Sequence, residues 1–231
     1  MSEPQVSEII IRGIVVGVFQ ENCWVIGNRR TGEAICIDPG DQHEEILAMA
    51  RDMGVAIKAI ANSHAHVDHI LGVRGVQAAT GAKFYMHRKE APIAAQAARS
   101  ALMFTGQEVE PPPDPDFFPE EGDEIEVEGV KLTVMHTPGH TPGSCCFLIG
   151  RYLISGDTLF PGGPGRTNSP QELQQTIASI RERLYTLPDD TLVLPGHGEG
   201  TTIGRSREEY AAFAARPHAA DLCGDVTWEG S

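Results

Sequence analysis

Asn62-Ser63-His64-Ala65-His66-Val67-Asp68-His69-Ile70 places three imidazoles and a carboxylate between His64 and His69. Upstream, Val55 to Ile60 reads as a short apolar strand, and downstream Ile70 to Ala79 reads as the opening of a helix. The cluster therefore falls on the connecting loop. On an extended backbone, residues two apart project to the same side, so His64 and His66 share one direction. Asp68 and His69 follow as the chain turns, which aims them at a second point near the first. Imidazoles beside an acid are common metal donors, so the stretch predicts two adjacent sites whose remaining ligands come from elsewhere.

Outward from this loop, the order helix (Gln42 to Arg51), strand, loop, helix is that of a crossover unit. Before it, Ile9 to Val18, Cys23 to Ile26 and Ala34 to Ile37 read as an antiparallel meander, ended by Asp38-Pro39-Gly40. Asp38 reads as a turn carboxylate, with support of a metal ligand as its alternative role. Beyond the loop, Lys83 to Met86 reads as a strand, His87 as a surface or helix-entry residue, and Lys89 to Met103 as one helix. The proline-rich run Pro111 to Asp116 reads as a loop within one domain. A second series of strands follows at Ile125 to Glu128, Lys131 to Met135, Cys145 to Ile149 and Arg151 to Ser155. Pro161 to Pro170 is too rich in Gly and Pro for regular structure. Ser169 reads as the cap of a helix over Gln171 to Leu184, Thr191 to Leu194 as a strand and Glu208 to Ala215 as a closing helix.

Composition narrows the classes. The 231 residues are 41% hydrophobic and 22% charged, which suits a globular chain with a substantial core. Eighteen basic against 32 acidic residues give a net charge of -14, which repels polyanions and argues against a nucleic-acid partner. Five cysteines in no CxxC pair read as small core hydrophobes in a reducing compartment, and adjacent Cys145 and Cys146 would face opposite sides of a strand. The polar, acidic start and the lack of a long apolar run predict a cytoplasmic chain without a membrane partner.

Three further stretches carry metal-capable side chains at turns after strands. They are His136-Thr137-Pro138-Gly139-His140-Thr141-Pro142-Gly143, Ser155-Gly156-Asp157-Thr158 and Pro195-Gly196-His197-Gly198. Together with the opening cluster, this series resembles the metallo-beta-lactamase superfamily, whose motif is His-x-His-x-Asp-His followed by isolated His, Asp and His positions. The resemblance covers nearly the whole chain and implies an α/β fold, a four-layer αββα sandwich. It implies a single domain over 1–231 with 200–231 as a C-terminal helical extension. It assigns His64, His66 and His140 to one metal and Asp68, His69 and His197 to the other, with Asp157 bridging the pair.

Within the superfamily, Thr137 to Gly143, Ser155 to Phe160 and Gly165-Arg166-Thr167 look most like glyoxalase II, the hydroxyacylglutathione hydrolases. Pro195 to Gly198 and Thr201 to Gly204 resemble its short bacterial members. Thr167-Asn168 departs from the Thr-Asp of related short proteins, and by this resemblance the 231 residues are expected to be too few to hold the full helical glutathione-binding domain of longer glyoxalases. The resemblance implies hydrolysis of a small acyl thioester by metal-bound water, with two divalent ions, Zn2+ first and Fe or a Zn/Fe mixture next. Asp68 is expected to be a ligand that also orients the water. Arg166 is expected either to take a substrate carboxylate or to support the metal loop, and Tyr210 to line the pocket from the last helix. His136 is expected to be structural, and the molecule to be a monomer or homodimer. An iron-dependent persulfide dioxygenase and a lactone or beta-lactam hydrolase are the alternative activities.

Overall fold

A computed structural model describes residues 8–228. The polar start at residues 1–7 and the last three residues lie outside them. The first sheet is built from β1 (Ile9–Val16), β2 (Glu21–Asn28), β3 (Glu33–Ile37), β4 (Ala56–Asn62) and β5 (Lys83–Met86), paired in that order. β1, β2 and β3 pair antiparallel, as expected of a meander, whereas β3, β4 and β5 pair parallel. Parallel neighbours need crossovers, and α1 (His43–Asp52) and α3 (Val73–Thr80) supply them. Between β4 and α3 lies the one-turn α2 (Val67–Ile70), so the helix expected from Ile70 is divided and its first turn belongs to the histidine loop.

Lys89 to Met103 is likewise three pieces rather than one helix. A 3-10 turn at Arg88–Glu90 leads to α4 (Ala91–Ala94) and α5 (Ala97–Thr105). Pro92 fits the first turn of α4 but could not fit the interior of one long helix. His87 opens the 3-10 turn by accepting a hydrogen bond from the Lys89 N–H (3.3 Å). It is a helix-entry residue but is buried rather than on the surface, its ring stacked 4.3 Å from that of His136.

The second sheet contains β6 (Glu124–Val127), β7 (Val130–His136), β8 (Cys145–Ile149), β9 (Tyr152–Gly156), β12 (Leu192–Pro195) and β13 (Thr201–Thr202), ordered β13-β12-β9-β8-β7-β6. α6 (Pro170–Glu182) crosses from β9 to its parallel neighbour β12, and Ser169 accepts from the Glu172 N–H as its cap. The Gly- and Pro-rich run from Pro161 is not wholly irregular, because its β11 (Gly163–Pro164) pairs with β10 (Leu159–Phe160) just before it in a short ribbon. The last helix, α7 (Ile203–Ala214), begins five residues before the expected Glu208, where Thr202 accepts from the Arg205 N–H. Among its described residues the extension is helical only in its first half, and residues 215–228 return to the ribbon, with Gly224 bridged to Thr167 and Trp228 N–H bonded to the Gly162 carbonyl at 2.6 Å.

Three apolar cores separate four layers, in the αββα order. Ile35 and Ile37 of β3 meet Leu132, Val134 and Phe147 of the second sheet in the central core. Alternation sends Cys36 to the other side, where it and Phe84 of β5 share a core with Ile46 of α1 and Val73 of α3. Cys145 faces the central core, and Cys146 faces Leu173, Ile180, Phe213 and Trp228 under α6 and α7. The cysteines thus split across the strand as expected. All five are free thiols, and no helix among the described residues is long and apolar enough to cross a membrane.

Candidate metal centre

At the end of β4 the chain stays buried through Ser63, His64 and Ala65. Asn62 Nδ2 donates to the carbonyls of His64 (3.3 Å) and His69 (2.7 Å), which folds the loop back on itself. His64 and His66 consequently face one point, while the first turn of α2 carries Asp68 and His69 toward another. The loop after β7 brings in His140, the end of β9 brings in Asp157, and the loop after β12 brings in His197. All seven residues named from the sequence motif meet at this one end of the two sheets.

They meet as two groups. His64 Nε2, His66 Nδ1 and His140 Nε2 are 3.0, 3.0 and 3.2 Å from one another. Donors about 2.0–2.1 Å from one tetrahedral ion stand roughly 3.3 Å apart, so this triad has the dimensions of a metal site. In the second group, Asp68 Oδ2 is 3.2 Å from His197 Nε2 and 3.8 Å from His69 Nε2. Asp157 faces both: Oδ1 is 3.5 Å from His69 Nε2, and Oδ2 is 3.7 Å from His140 Nε2.

Hydrogen bonds behind the rings decide which nitrogen is available. His140 Nδ1 donates to the Arg166 carbonyl (2.8 Å), and His197 Nδ1 to the Gln20 carbonyl (3.3 Å). Ser63 gives its N–H to Asp38 Oδ1 and its hydroxyl hydrogen to Asp38 Oδ2, both at 2.6 Å, so its oxygen can accept from His64 Nδ1 at 3.0 Å. Asp38 Oδ2 also accepts from His69 Nδ1 at 3.2 Å. Four rings thus spend their Nδ1 hydrogens outward and turn Nε2 inward, an arrangement that suits a cation between them. Burial, then neighbouring imidazoles, hold His64 well below the ordinary histidine pKa and His66 at about 4, leaving both neutral as ligands must be.

The carboxylate side has the opposite character. Burial disfavours a charged His69, but Asp157 and Asp38 outweigh it and raise its pKa well above the usual value. His197 is likewise raised, against its burial, by Asp68 and Asp157. His69 Nε2 and Asp157 Oδ1 are buried without a hydrogen-bond partner. The donor set, its excess negative charge and these orphaned atoms fit two divalent ions. Gly196 allows the close approach this requires, since a Cβ there would lie 2.3 Å from Asp157 Oδ1 and 2.7 Å from His69 Cε1.

Several residues at the centre have no motif in the sequence. Asp38, a non-glycine residue at φ +49°, is tied to His64 through Ser63 and to His69 directly, so its supporting role prevails over that of a simple turn. An Asp38→Asn variant would present an amide N–H to the N–H of His69. We expect it to lower metal affinity about 10- to 100-fold, read by chelator competition, with the fold intact by circular dichroism. Glu21 is fully buried near His69 and Asp38, and burial raises its carboxyl well above the usual range. Next to it, Asn22 Nδ2 donates to the carbonyls of Pro195 (3.1 Å) and Gly198 (2.9 Å), which fixes the His197 loop to the first sheet. Glu90 accepts from the Ala65 N–H (2.8 Å) and the Gly143 N–H (2.7 Å), joining the two loops of the histidine triad. Apart from the strand-end position of Asp38, only side-chain type marks these residues in the sequence, and their partners are far away along the chain.

The residues expected to bind substrate divide. Arg166 has its exposed side chain at the mouth of the centre, while its backbone carbonyl orients His140. Tyr210 is not brought to the mouth. It packs with Trp228 (ring centroids 5.2 Å) and Phe213 (6.3 Å), because the returning tail places an aromatic partner over α7. His136 is structural, with Nε2 donating to the Pro142 carbonyl at 3.1 Å.

Residues 16–197 match the model of the metallo-beta-lactamase superfamily. The hydroxyacylglutathione hydrolase GloC of Haemophilus influenzae is 30% identical, over 84% of this chain and 93% of its own. Among solved structures, BLEG-1 B3 metallo-beta-lactamase superposes with a TM-score of 0.78 at 30% identity, covering 86% of this chain and 97% of its own. TTHA1623 in a di-iron-bound form gives 0.73 at 33% identity, covering 85% and 96%.

Proposed function

The chain belongs to the metallo-beta-lactamase superfamily, and from that premise we propose that it is a dinuclear hydrolase of small acyl thioesters. The observation that carries this reading is the pair of converging donor groups with Asp157 facing both. His64, His66 and His140 would hold one ion, Asp68, His69 and His197 the other, with Asp157 between them. Divalent ions bound there supply a water acidified to near neutral pKa and a Lewis acid for the carbonyl oxygen. Zinc or iron suits this histidine and carboxylate set, and the di-iron form of TTHA1623 supports iron as a second choice.

The protein's own groups then have restricted tasks. Asp68, partly exposed, would hold its ion together with His197, and its carboxylate could also orient the attacking water. Neither Cys145 nor Cys146 serves as nucleophile, because both thiols are buried and burial pushes their pKa up, that of Cys146 to about 11. Thioester cleavage makes little demand for a general acid, since a thiol of pKa about 8.5 departs as thiolate. Arg166 stands at the lip as a fork for an anionic group on the substrate. Similarity to GloC supports the thioester over other carbonyl substrates.

Purification without added metal, followed by metal quantification and a panel of thioesters, lactones, beta-lactams and a persulfide, tests the reading. We expect about two ions per chain, thiol release from thioesters and its loss on chelation. A fully metallated protein that releases no thiol, or that consumes oxygen with the persulfide, sinks it.

A further inference from the structure

Two exposed apolar side chains near the centre are phenylalanines held against each other. Phe19 stands on the β1–β2 turn, 41% exposed, and Phe104 near the end of α5, 61% exposed. Their rings meet edge to face with centroids 6.4 Å apart. With Ile93 they form one wall of a cleft of about 500 Å³, whose floor includes His66, Asp68 and His140. A substrate carbonyl at that floor has this wall directly beside it.

The turn carrying Phe19 is fixed from the centre itself. Gln20 adopts a left-handed conformation at φ +56° and donates its N–H to the Gly17 carbonyl at 3.2 Å. Its carbonyl accepts from His197 Nδ1, and Gly17 N–H donates to Gln42 Oε1 at 2.8 Å. Phe19 is thus placed by a bond to one of the candidate metal ligands.

A second cleft, about 320 Å³, opens on the other side of His140 and Arg166, over the Gly-rich ribbon and the tail residue Asp225. A thioester leaves its carbonyl in two directions, acyl and thiol. Two clefts meet at this floor, and the aromatic wall belongs to the first. Arg166 lines both clefts, whereas the second alone has Asp225 and Thr227 and lacks the phenylalanine pair, so it suits a polar thiol carrier and leaves the wall to the acyl group.

We propose that Phe19 and Phe104 form the acyl-binding wall, and that the substrate carries a medium-length alkyl or aromatic acyl group. This rests on the thioester reading and specifies its substrate class. Water is excluded from both rings and from the chain when such a group docks, a gain that a short or hydroxylated acyl group does not provide.

The test compares S-acetyl, S-hexanoyl and S-benzoyl N-acetylcysteamine on the metal-loaded protein. Wild type is expected to favour hexanoyl or benzoyl over acetyl in kcat/KM by about tenfold or more. Phe19→Ala and Phe104→Ala are expected to collapse that ratio to about threefold or less, whereas Phe19→Leu and Phe104→Leu keep most of it. Phe117→Ala, altering an exposed ring stacked on Tyr85 and outside this wall, keeps the wild-type ratio. Equal cleavage of the three esters by wild type, or an unchanged ratio in both alanine variants, overturns the proposal. So does a change in sedimentation of the Phe104→Ala variant with the ratio intact, because the wall then belongs to a contact between copies. If wild type cleaves none of the esters, the thioester reading fails by itself. The wall is then judged by calorimetric binding of hexanoate against acetate: a hexanoate preference lost in the alanine variants upholds it, and equal binding overturns it.

Discussion

Replacing Asp157 by alanine is expected to lower thioester turnover by about three orders of magnitude, the size of several kcal/mol removed from the reaction. Asp157 is where the two donor groups meet, with one oxygen toward His69 and the other toward His140 and His197. Its loss deprives both proposed ions of a ligand. The charge also matters without metal. Burial raises its pKa, but His69 and then His140 and His197 outweigh that and depress it. A depressed carboxylate stabilises the fold above its unfolded value, about 3.9, and loses that contribution as pH falls through the folded value. Hence the metal-free wild type should exceed Asp157→Asn in stability at neutral pH, with the gap closing only in strong acid. Bound metal, turnover and melting temperature across pH are the readouts. A variant retaining two ions and a turnover within tenfold of wild type would refute the bridging position.

Glu90→Ala is expected to cause the largest loss of stability. The carboxylate accepts one N–H beside the His64–His66 pair and another three residues after His140, and so ties those two loops together. Truncation leaves two buried N–H donors unsatisfied, at about 1–3 kcal/mol each. For a chain of this size the melting temperature should fall by roughly 10 °C. Glu90→Gln keeps the shape but turns an N–H donor toward an N–H donor, so it should recover only part of the loss. Scanning calorimetry with and without metal separates the effects: destabilisation present in both forms belongs to the loops, and one confined to the loaded form to the ions. A melting temperature unchanged by Glu90→Ala would show that the tie is dispensable.

The two variants differ sharply in how visible their residues are in the sequence. Asp157 stands in a strand-end turn beside glycines, and the recurrence of such turns with His140 and His197 is local information that adds to the cluster at 64–69. Glu90 lies next to Lys89 in what reads as an ordinary helix surface, and nothing nearby announces that its acceptors' partners are Ala65 and Gly143. Asp38 is intermediate, since a strand-end acid suggests support of a ligand without naming His69. The layers follow from alternation, as Cys145 and Cys146 demonstrate, but the parallel pairing of β3, β4 and β5 depends on crossover packing. Tyr210 is the opposite case: a side chain on the last helix, shortly after the motif stretches Pro195 to Gly198 and Thr201 to Gly204, is drawn into an aromatic cluster by Trp228, whose position no local pattern reveals.

The histidine loop precedes β5, whereas His140, Asp157 and His197 follow β7, β9 and β12. During synthesis, a chain extended only through the first sheet therefore exposes His64, His66, Asp68 and His69 with neither donor group complete. An ion captured at that stage has at most a partial set of ligands and can leave again. On the proposed assignment of ligands, full coordination would wait until residue 197 has emerged and the second sheet has docked, so retention of metal would report that both halves of the chain have come together.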